Sequence, residues 1–256
     1  YNVTVKATND AGTTGTADGS TLAGLKLVVK ERVAPVITIV SPASGAYVSN
    51  NKQPVVFTVV DEAGGSGVDL TTLVVKQDGT AAASSTIKTT AITNGYSVTY
   101  TPDAALSDGS HTVTIAVSDH DGNAAEEKST TYKLDTVPPT LNVTSPTDNL
   151  VTATAALTVA GTTNDATSSP VTIAVKLNGT DQGAVTVAAN GSFSKQVTLA
   201  EGTNTIVVTS TDAAGQVTSI TRTVKLDTTV PTIKSATITP NPADAGATMV
   251  ITVEIA

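Results

Sequence analysis

The sequence predicts an all-β chain of tandem β-sandwiches, and three observations carry that prediction. The first is a stretch spelled three times, as Tyr1-Asn-Val-Thr-Val-Lys-Ala-Thr-Asn-Asp-Ala-Gly12, His111-Thr-Val-Thr-Ile-Ala-Val-Ser-Asp-His-Asp-Gly122 and Asn204-Thr-Ile-Val-Val-Thr-Ser-Thr-Asp-Ala-Ala-Gly215. Laid over one another without gaps, the copies place Val3/Val5, Val113/Ile115/Val117 and Ile206/Val208 at alternate positions, the mark of a half-buried strand leading into a glycine-centred turn. The second is a proline linker after each copy: Val28 to Pro35, Tyr132-Lys-Leu-Asp-Thr-Val-Pro-Pro139, and Val224-Lys-Leu-Asp-Thr-Thr-Val-Pro231. The repeat of roughly 90 to 110 residues is the size of one sandwich and too long for a solenoid unit. The third is composition: aromatics are 3% and Trp is absent, so the cores must be built from Val, Ile, Leu and Ala.

Taken in order, residues 1–34 read as the last strands of one domain, with a Gly/Thr/Ser-rich connection through Ser20 and a strand near Leu25 to Lys30. Residues 35–136 read as a complete unit. Its strands are expected at Val36 to Val40, Pro54 to Val60, Leu70 to Gln77, near Thr86 to Ile92, at Tyr96 to Thr101, and in the recurring pair. Ser41-Pro42, Asp78-Gly79 and Asn94-Gly95 supply turn chemistry between them. Residues 137–229 repeat the plan, with strands near Leu141 to Thr144, Ala155 to Ala160, Val171 to Leu177, Gly183 to Val187, Ser192 to Leu199, Asn204 to Ser210 and Val217 to Leu226. Residues 230–256 read as the first strands of a further unit, at Ile233 to Thr239 and Thr248 to Ile255. Seven short strands at this spacing, without helical periodicity, predict tandem immunoglobulin-like β-sandwich domains.

Composition removes several function classes. With no cysteine, neither disulfides nor thiolate zinc sites hold the fold. A net charge of −8 and no basic run argue against nucleic-acid binding. No apolar stretch approaches the roughly 20 residues that span a bilayer.

The Leu-Asp-Thr-x-Pro-Pro linker, the Asp-x-x-Gly turns at Asp119 to Gly122 and Asp212 to Gly215, and Gly109-Ser-His-Thr or Gly202-Thr-Asn-Thr before the recurring strand resemble the tandem bacterial immunoglobulin-like domains. That resemblance implies a module of cell-surface, adhesin or S-layer-associated proteins, or of phage virions, and so an extracellular or virion setting. The family's aromatic at the start of the penultimate strand is kept at Tyr1 but replaced by His111 and Asn204. That corner therefore needs a different hydrogen bond.

Among candidate sites, His111 in the corner reads as packing and His120 as part of a turn. Neither is accompanied by a Gly-x-Ser-x-Gly elbow or a triad, so no catalytic residue is expected. The topology of a seven-strand sandwich gathers the loops after its second and sixth strands at the chain's entry end. This brings Asp61, Glu62 and Asp69 towards Asp119 and Asp121, with Glu31 in the linker. In the next unit the equivalents are Asn164, Asp165 and Asp212, with Asp135 in the linker. Oxygen-only clusters suit calcium, which takes about six to eight oxygen ligands, although Asp, Asn and Gly are also what turns are made of. Calcium is the one cofactor considered. Asn-x-Ser/Thr sequons at Asn2, Asn142, Asn178 and Asn190 carry no expected modification, and an isopeptide lysine, Lys26 or Lys52, has no partner that sequence would choose. The expected function is a structural stalk, spacer or coat segment whose partners are neighbouring domains of a longer chain. The alternative is an adhesive or decoration module that binds glycan or a cell-surface protein. Self-assembly is a further possible partnership.

Overall fold

The computed structural model describes residues 5–8, 14–17, 30–239, 241–242 and 244–255. Val5–Thr8 (β1) pairs with Thr14–Ala17 (β2), where a loop is expected from the glycine and threonine content. Most of the strand expected near Leu25 to Lys30, together with Val3 and Lys26, lies outside the described residues.

The first sandwich runs through Val36–Ser41 (β3), Tyr47–Val48 (β4), Val55–Val60 (β5), Val68–Gln77 (β6), Thr80–Ala81 (β7), Ile87–Ile92 (β8), Gly95–Tyr100 (β9), Gly109–Asp119 (β10) and Lys128–Leu134 (β11). One sheet has the order β3-β5-β9-β8 and the other β4-β11-β10-β6-β7. The alternation read from the sequence is what closes the core. Val55, Phe57 and Val59 of β5, and Val113, Ile115 and Val117 of β10, are buried from opposite sheets.

The second sandwich consists of Thr140–Ser145 (β12), Leu150–Thr152 (β13), Ala156–Asn164 (β14), Thr172–Leu177 (β15), Thr180–Asp181 (β16), Ser192–Thr198 (β17), Gly202–Thr211 (β18) and Val217–Leu226 (β19). Its sheets are β12-β14-β17 and β13-β19-β18-β15-β16. Its separate core holds Val159, Val175, Phe193, Ile206, Val208 and Val224. Beyond it, Ile233–Thr239 (β20) pairs with Val250–Ile255 (β21).

Three features depart from the strands read in the sequence. The Gly183 to Val187 strand does not form: Gly183 turns the chain at φ +79°, and only Val187 makes an isolated bridge, to Phe193. The short β4 and β13 were not expected, because two or three residues carry no periodicity. They pair in parallel with β11 and β19, so the first strand of each sandwich is split between the two sheets. A register shift marks each split, between Ile39 and Ser41 and between Val143 and Ser145.

This split positions the linkers. The Asp135 N–H donates to Val48 O and the Asp227 N–H to Thr152 O, each at 2.9 Å, continuing the parallel pairing past the strand end. The following threonine is then clamped. Thr136 donates its backbone N–H and hydroxyl to Asp108, and Thr228 donates the same two groups to Glu201. Among the described residues no helix is long and apolar enough to cross a membrane.

Candidate functional site

At the entry end of the first sandwich, Glu31 of the incoming linker meets Asp61, which follows β5, and Asp119, which ends β10. One carboxylate oxygen from each lies within 4.8 Å of the others. Asp61 is 4% exposed and Asp119 2%. The loop Asp61-Glu-Ala-Gly-Gly-Ser-Gly67 wraps the cluster. Gly64 and Gly67 adopt φ of +86° and +83°, and Gly65 comes so close that a Cβ there would stand 2.8 Å from oxygens of both Asp61 and Glu31. Backbone N–H groups hold the outer oxygens. Gly67 N donates to Asp61 Oδ2 at 2.7 Å, Ser66 N to Glu31 Oε1 at 2.5 Å, and Asn123 N to Asp119 Oδ1 at 2.8 Å. With all the carboxylates ionised, the inner oxygens Glu31 Oε2, Asp61 Oδ1 and Glu62 Oε2 are buried with no donor to face.

Such a convergence of buried lone pairs must be neutralised. In the protein alone a proton does part of this. A proton on Glu62 can bond to Glu31, and this bond, followed by burial, pushes the Glu62 pKa up to about 7, while the same bond lowers that of Glu31. Burial raises the Asp119 pKa, but the side chain and backbone of Asn123 and the N–H groups of Gly122 and Asp121 together hold it below the ordinary value.

The second sandwich repeats the arrangement with different chemistry. Asp135 of the linker, Asp165 after β14 and Asp212 after β18 bring carboxylate oxygens within 4.8 Å of one another. Asp135 is fully buried and Asp212 nearly so. The Ser168 hydroxyl, also fully buried, donates to Asp135 Oδ2. Asp165 Oδ1 accepts from Thr167 N and Ser168 N at 2.8 Å each. Asp212 Oδ1 accepts from Gln216 N at 2.8 Å, as Asp119 accepts from Asn123, while Asp212 Oδ2 is buried without a partner.

Of the sequence-derived candidates, Asp61 and Asp119 meet Glu31, and Asp135, Asp165 and Asp212 meet each other. Glu62 joins the first cluster through Glu31. Asp121 does something else: its Oδ2 accepts from the Glu31 N–H at 2.9 Å and so holds the linker backbone. Asp69 turns away to Thr71, and Asn164 offers only its backbone carbonyl, to Thr140. Ser66, Asn123 and Ser168 complete the clusters and had no sequence signal beyond their place in loops. The histidines take the parts expected of them. His120 is exposed in its turn, and His111 is buried at the corner. Lys52 donates to Asp103 O in an exposed bond.

All of the side-chain donor atoms are oxygens, a set that favours hard cations such as calcium over zinc or copper. In each cluster an oxygen of the incoming linker stands among oxygens of two loops of the sandwich. An ion held there would tie linker to sandwich.

Residues 43–136 match the model of a bacterial Ig-like domain, and residues 139–228 match that of domain B of glucodextranase. No curated protein matches the chain. Among solved structures, the fibronectin(III)-like modules of Clostridium thermocellum CbhA align with a TM-score of 0.50 at 17% identity, over 75% of this chain and 94% of theirs. Immunoglobulin domains 1–4 of Sidekick-1 align at 12% identity with a TM-score of 0.38, over 88% of this chain and 57% of theirs. At 17% identity the likeness to the CbhA modules is one of fold. The first sandwich thus carries the match to a bacterial Ig-like domain and the second the match to domain B of glucodextranase, and the chain is a tandem of immunoglobulin-like β-sandwiches in fold.

Proposed function

We propose that the chain is a structural spacer or coat segment of a larger exported bacterial protein, and that calcium stiffens the junctions at which its linkers enter the sandwiches. Unit boundaries at 35–136 and 137–229 belong to this reading. The observation that carries it is that both linkers deliver a carboxylate, Glu31 or Asp135, into a carboxylate cluster that keeps buried oxygens without a donor, three of them in the first and Asp212 Oδ2 in the second. The remainder of the linker is already restrained: proline fixes its φ, and Asp108 clamps Thr136. Calcium would be held by Glu31, Asp61, Glu62 and Asp119 at one junction and by Asp135, Asp165 and Asp212 at the other, and would supply the positive charge these oxygens lack. A chain built this way transmits position rather than performing chemistry, and we assign it no catalytic residue.

A binding-tip reading has less support. Carbohydrate platforms use exposed aromatic faces, whereas Phe57, Phe193, Tyr100 and Tyr132 are in the cores. Only Tyr47 and Tyr96 are partly exposed among the described residues.

Melting the 256-residue chain in excess calcium and again in chelator tests the proposal. At a calcium concentration of about 100 times Kd, binding adds about 2.7 kcal/mol, which for units of this size moves the midpoint by on the order of 10 °C. Of the five tyrosines, Tyr47, Tyr96, Tyr100 and Tyr132 lie in the first sandwich, Tyr1 precedes it and the second has none, so with Tyr1→Phe as the background tyrosine fluorescence follows the first and not the second. Midpoints that ignore calcium would leave the carboxylates as turn residues.

A further inference from the structure

At the other end of β10 from the carboxylate cluster, the two sandwiches solve one problem in two ways. The tight turn after β6 is Asp78-Gly79 and that after β15 is Asn178-Gly179, with φ of +49° and +50° at the first residue. In both, this residue exchanges hydrogen bonds with the backbone of the neighbouring strand. Asp78 N donates to Thr112 O and Thr112 N to Asp78 Oδ1, while Asn178 N donates to Thr205 O and Thr205 N to Asn178 Oδ1. The preceding strand residue, His111 or Asn204, is buried and reaches both this turn and the chain leading into its own strand. Asn204 does so with a neutral amide. Its Oδ1 accepts from Asn178 Nδ2 and Ala200 N at 3.0 Å each, and its Nδ2 donates to Ala200 O at 2.7 Å and Gly202 O at 3.0 Å.

His111 does it with a ring. Nδ1 lies 2.7 Å from Asp78 Oδ2 and Nε2 lies 2.7 Å from Ser107 O. A backbone carbonyl only accepts, so Nε2 carries a hydrogen. Asp78 also accepts from Thr112 N at 2.7 Å and from Gln77 Nε2 at 3.0 Å, and these donors favour its carboxylate form. Facing a carboxylate, Nδ1 carries a hydrogen too. A neutral imidazole has only one N–H to offer, so it would leave one nitrogen lone pair against an oxygen lone pair.

We propose that Asp78 and His111 form a proton-operated clasp, in which a doubly protonated imidazole joins the turn after β6 to Ser107 and which loosens as the proton leaves, whereas the Asn178–Asn204 clasp of the second sandwich is indifferent to pH. The other groups around the ring stay neutral over the working range. Tyr132, whose ring centroid is 5.8 Å from that of His111, is pushed up to about 12, first by burial and then by the charge of Asp78. Burial also raises the Tyr100 pKa. Asp78 is the only charged side chain bonded to the ring among the described residues. Asp108, next to Ser107, is turned to Thr136.

The direction of the pH effect follows. Burial opposes the charge on His111, but the hydrogen bonds to Asp78 and Ser107 and the Asp78 charge outweigh it, so the folded pKa stands above the ordinary 6.5. Its contribution is complete below 6.5 and is lost as pH rises through the raised folded value. For Asp78, burial is outweighed by the hydrogen bonds from His111, Thr112 and Gln77 and by the His111 charge. Its contribution is complete above 3.8 and is lost as pH falls through the lowered folded value. The clasp is therefore strongest between these limits, and alkaline pH weakens the first sandwich selectively.

Long-range proton–nitrogen NMR of the 256-residue chain tests the protonation state directly, with His111→Asn used to assign the signals. The expected result is a titration midpoint above 6.5, with both ring nitrogens of His111 protonated below it. A midpoint at or below 6.5, or a ring with one N–H below its midpoint, would overturn the proposal. The double variant Asp78→Asn/His111→Asn copies the second sandwich. Followed by tyrosine fluorescence, the wild-type midpoint should fall relative to this variant's by about 5 °C between pH 6 and pH 9. A constant difference counts against the clasp, and the carboxylate cluster, common to both proteins, cancels. Should the variant fail to fold, the titration decides alone.

Discussion

The two sandwiches share a frame and differ in what fills its polar positions. At the corner, an ionised His111–Asp78 pair stands where the second sandwich has Asn204–Asn178. At the entry end, Glu62 stands against Glu31, which raises the Glu62 pKa to about 7, where the second sandwich sets the Ser168 hydroxyl on Asp135. In each case the backbone demand is the same: a turn must be tied to a strand, or a linker to a loop. The side chain that meets the demand is free to vary as long as its donors and acceptors fall in the same places. The comparison teaches that the architecture fixes the geometry of these sites, while sequence sets whether they respond to protons or not.

The largest effects should come from positions where both sandwiches have no freedom at all. A Cβ on Gly95 would lie 2.0 Å from Val59 O, and one on Gly191 would lie 2.1 Å from Thr163 O. Gly95→Ala and Gly191→Ala should each destabilise their own sandwich by about 3 kcal/mol or more, read as loss of the tyrosine transition for the first and of a circular-dichroism transition for the second. If either is tolerated, the shared frame is less strict than the contacts indicate.

Next come the corners. Asn204→Ala strips the partners from Ala200, Gly202 and Asn178 and should cost about 2 to 3 kcal/mol. Denaturant unfolding should show the same loss at pH 6 and at pH 9. A cost that changes with pH would erase the contrast with His111.

Removing one carboxylate should have a smaller effect of two opposite signs. In chelator, Asp61→Asn relieves repulsion and should leave the first midpoint unchanged or higher. In calcium, it should abolish the rise in the tyrosine signal and leave that of the second sandwich intact. Asp212→Asn should do the converse. Gly65→Ala, which removes no charge but intrudes on Asp61 and Glu31, should weaken the first response in the same way as Asp61→Asn. The smallest effect belongs to His120→Ala. The ring is exposed and 3.9 Å from Asp69, so the change should stay within about 0.5 kcal/mol.

Much of this was legible in the sequence because it follows from period and turn chemistry. The buried faces of β5, β10 and β18 are the alternate residues of Phe57, Ile115 and Ile206, and Asn94-Gly95 marks the β8–β9 hairpin. The clusters were legible through topology, since loops after the second and sixth strands share an end with the linker. What sequence did not contain was orientation. Asp69 and Asp121 are of the same residue type as Asp61, yet hydrogen bonds to Thr71 and to the Glu31 backbone direct them elsewhere. Ser168 is one serine among many until its loop folds back over Asp135. The missing Gly183 to Val187 strand had β-forming residues but no partner row to pair with: Gly183 turns the chain, and Lys195 Nζ donates to Ala184 O instead.

The central claim is that the linker carboxylates complete cation sites, and counting ions tests it most directly. The chain is stripped with chelator, exchanged into chelator-free buffer and titrated with calcium in a calorimeter. Two sites per chain are expected, one at each of the clusters around Asp61 and Asp212, falling to one in Asp61→Asn or Asp212→Asn and to none in the double variant. No saturable binding by the wild-type chain, or a stoichiometry unchanged in the double variant, would contradict the account.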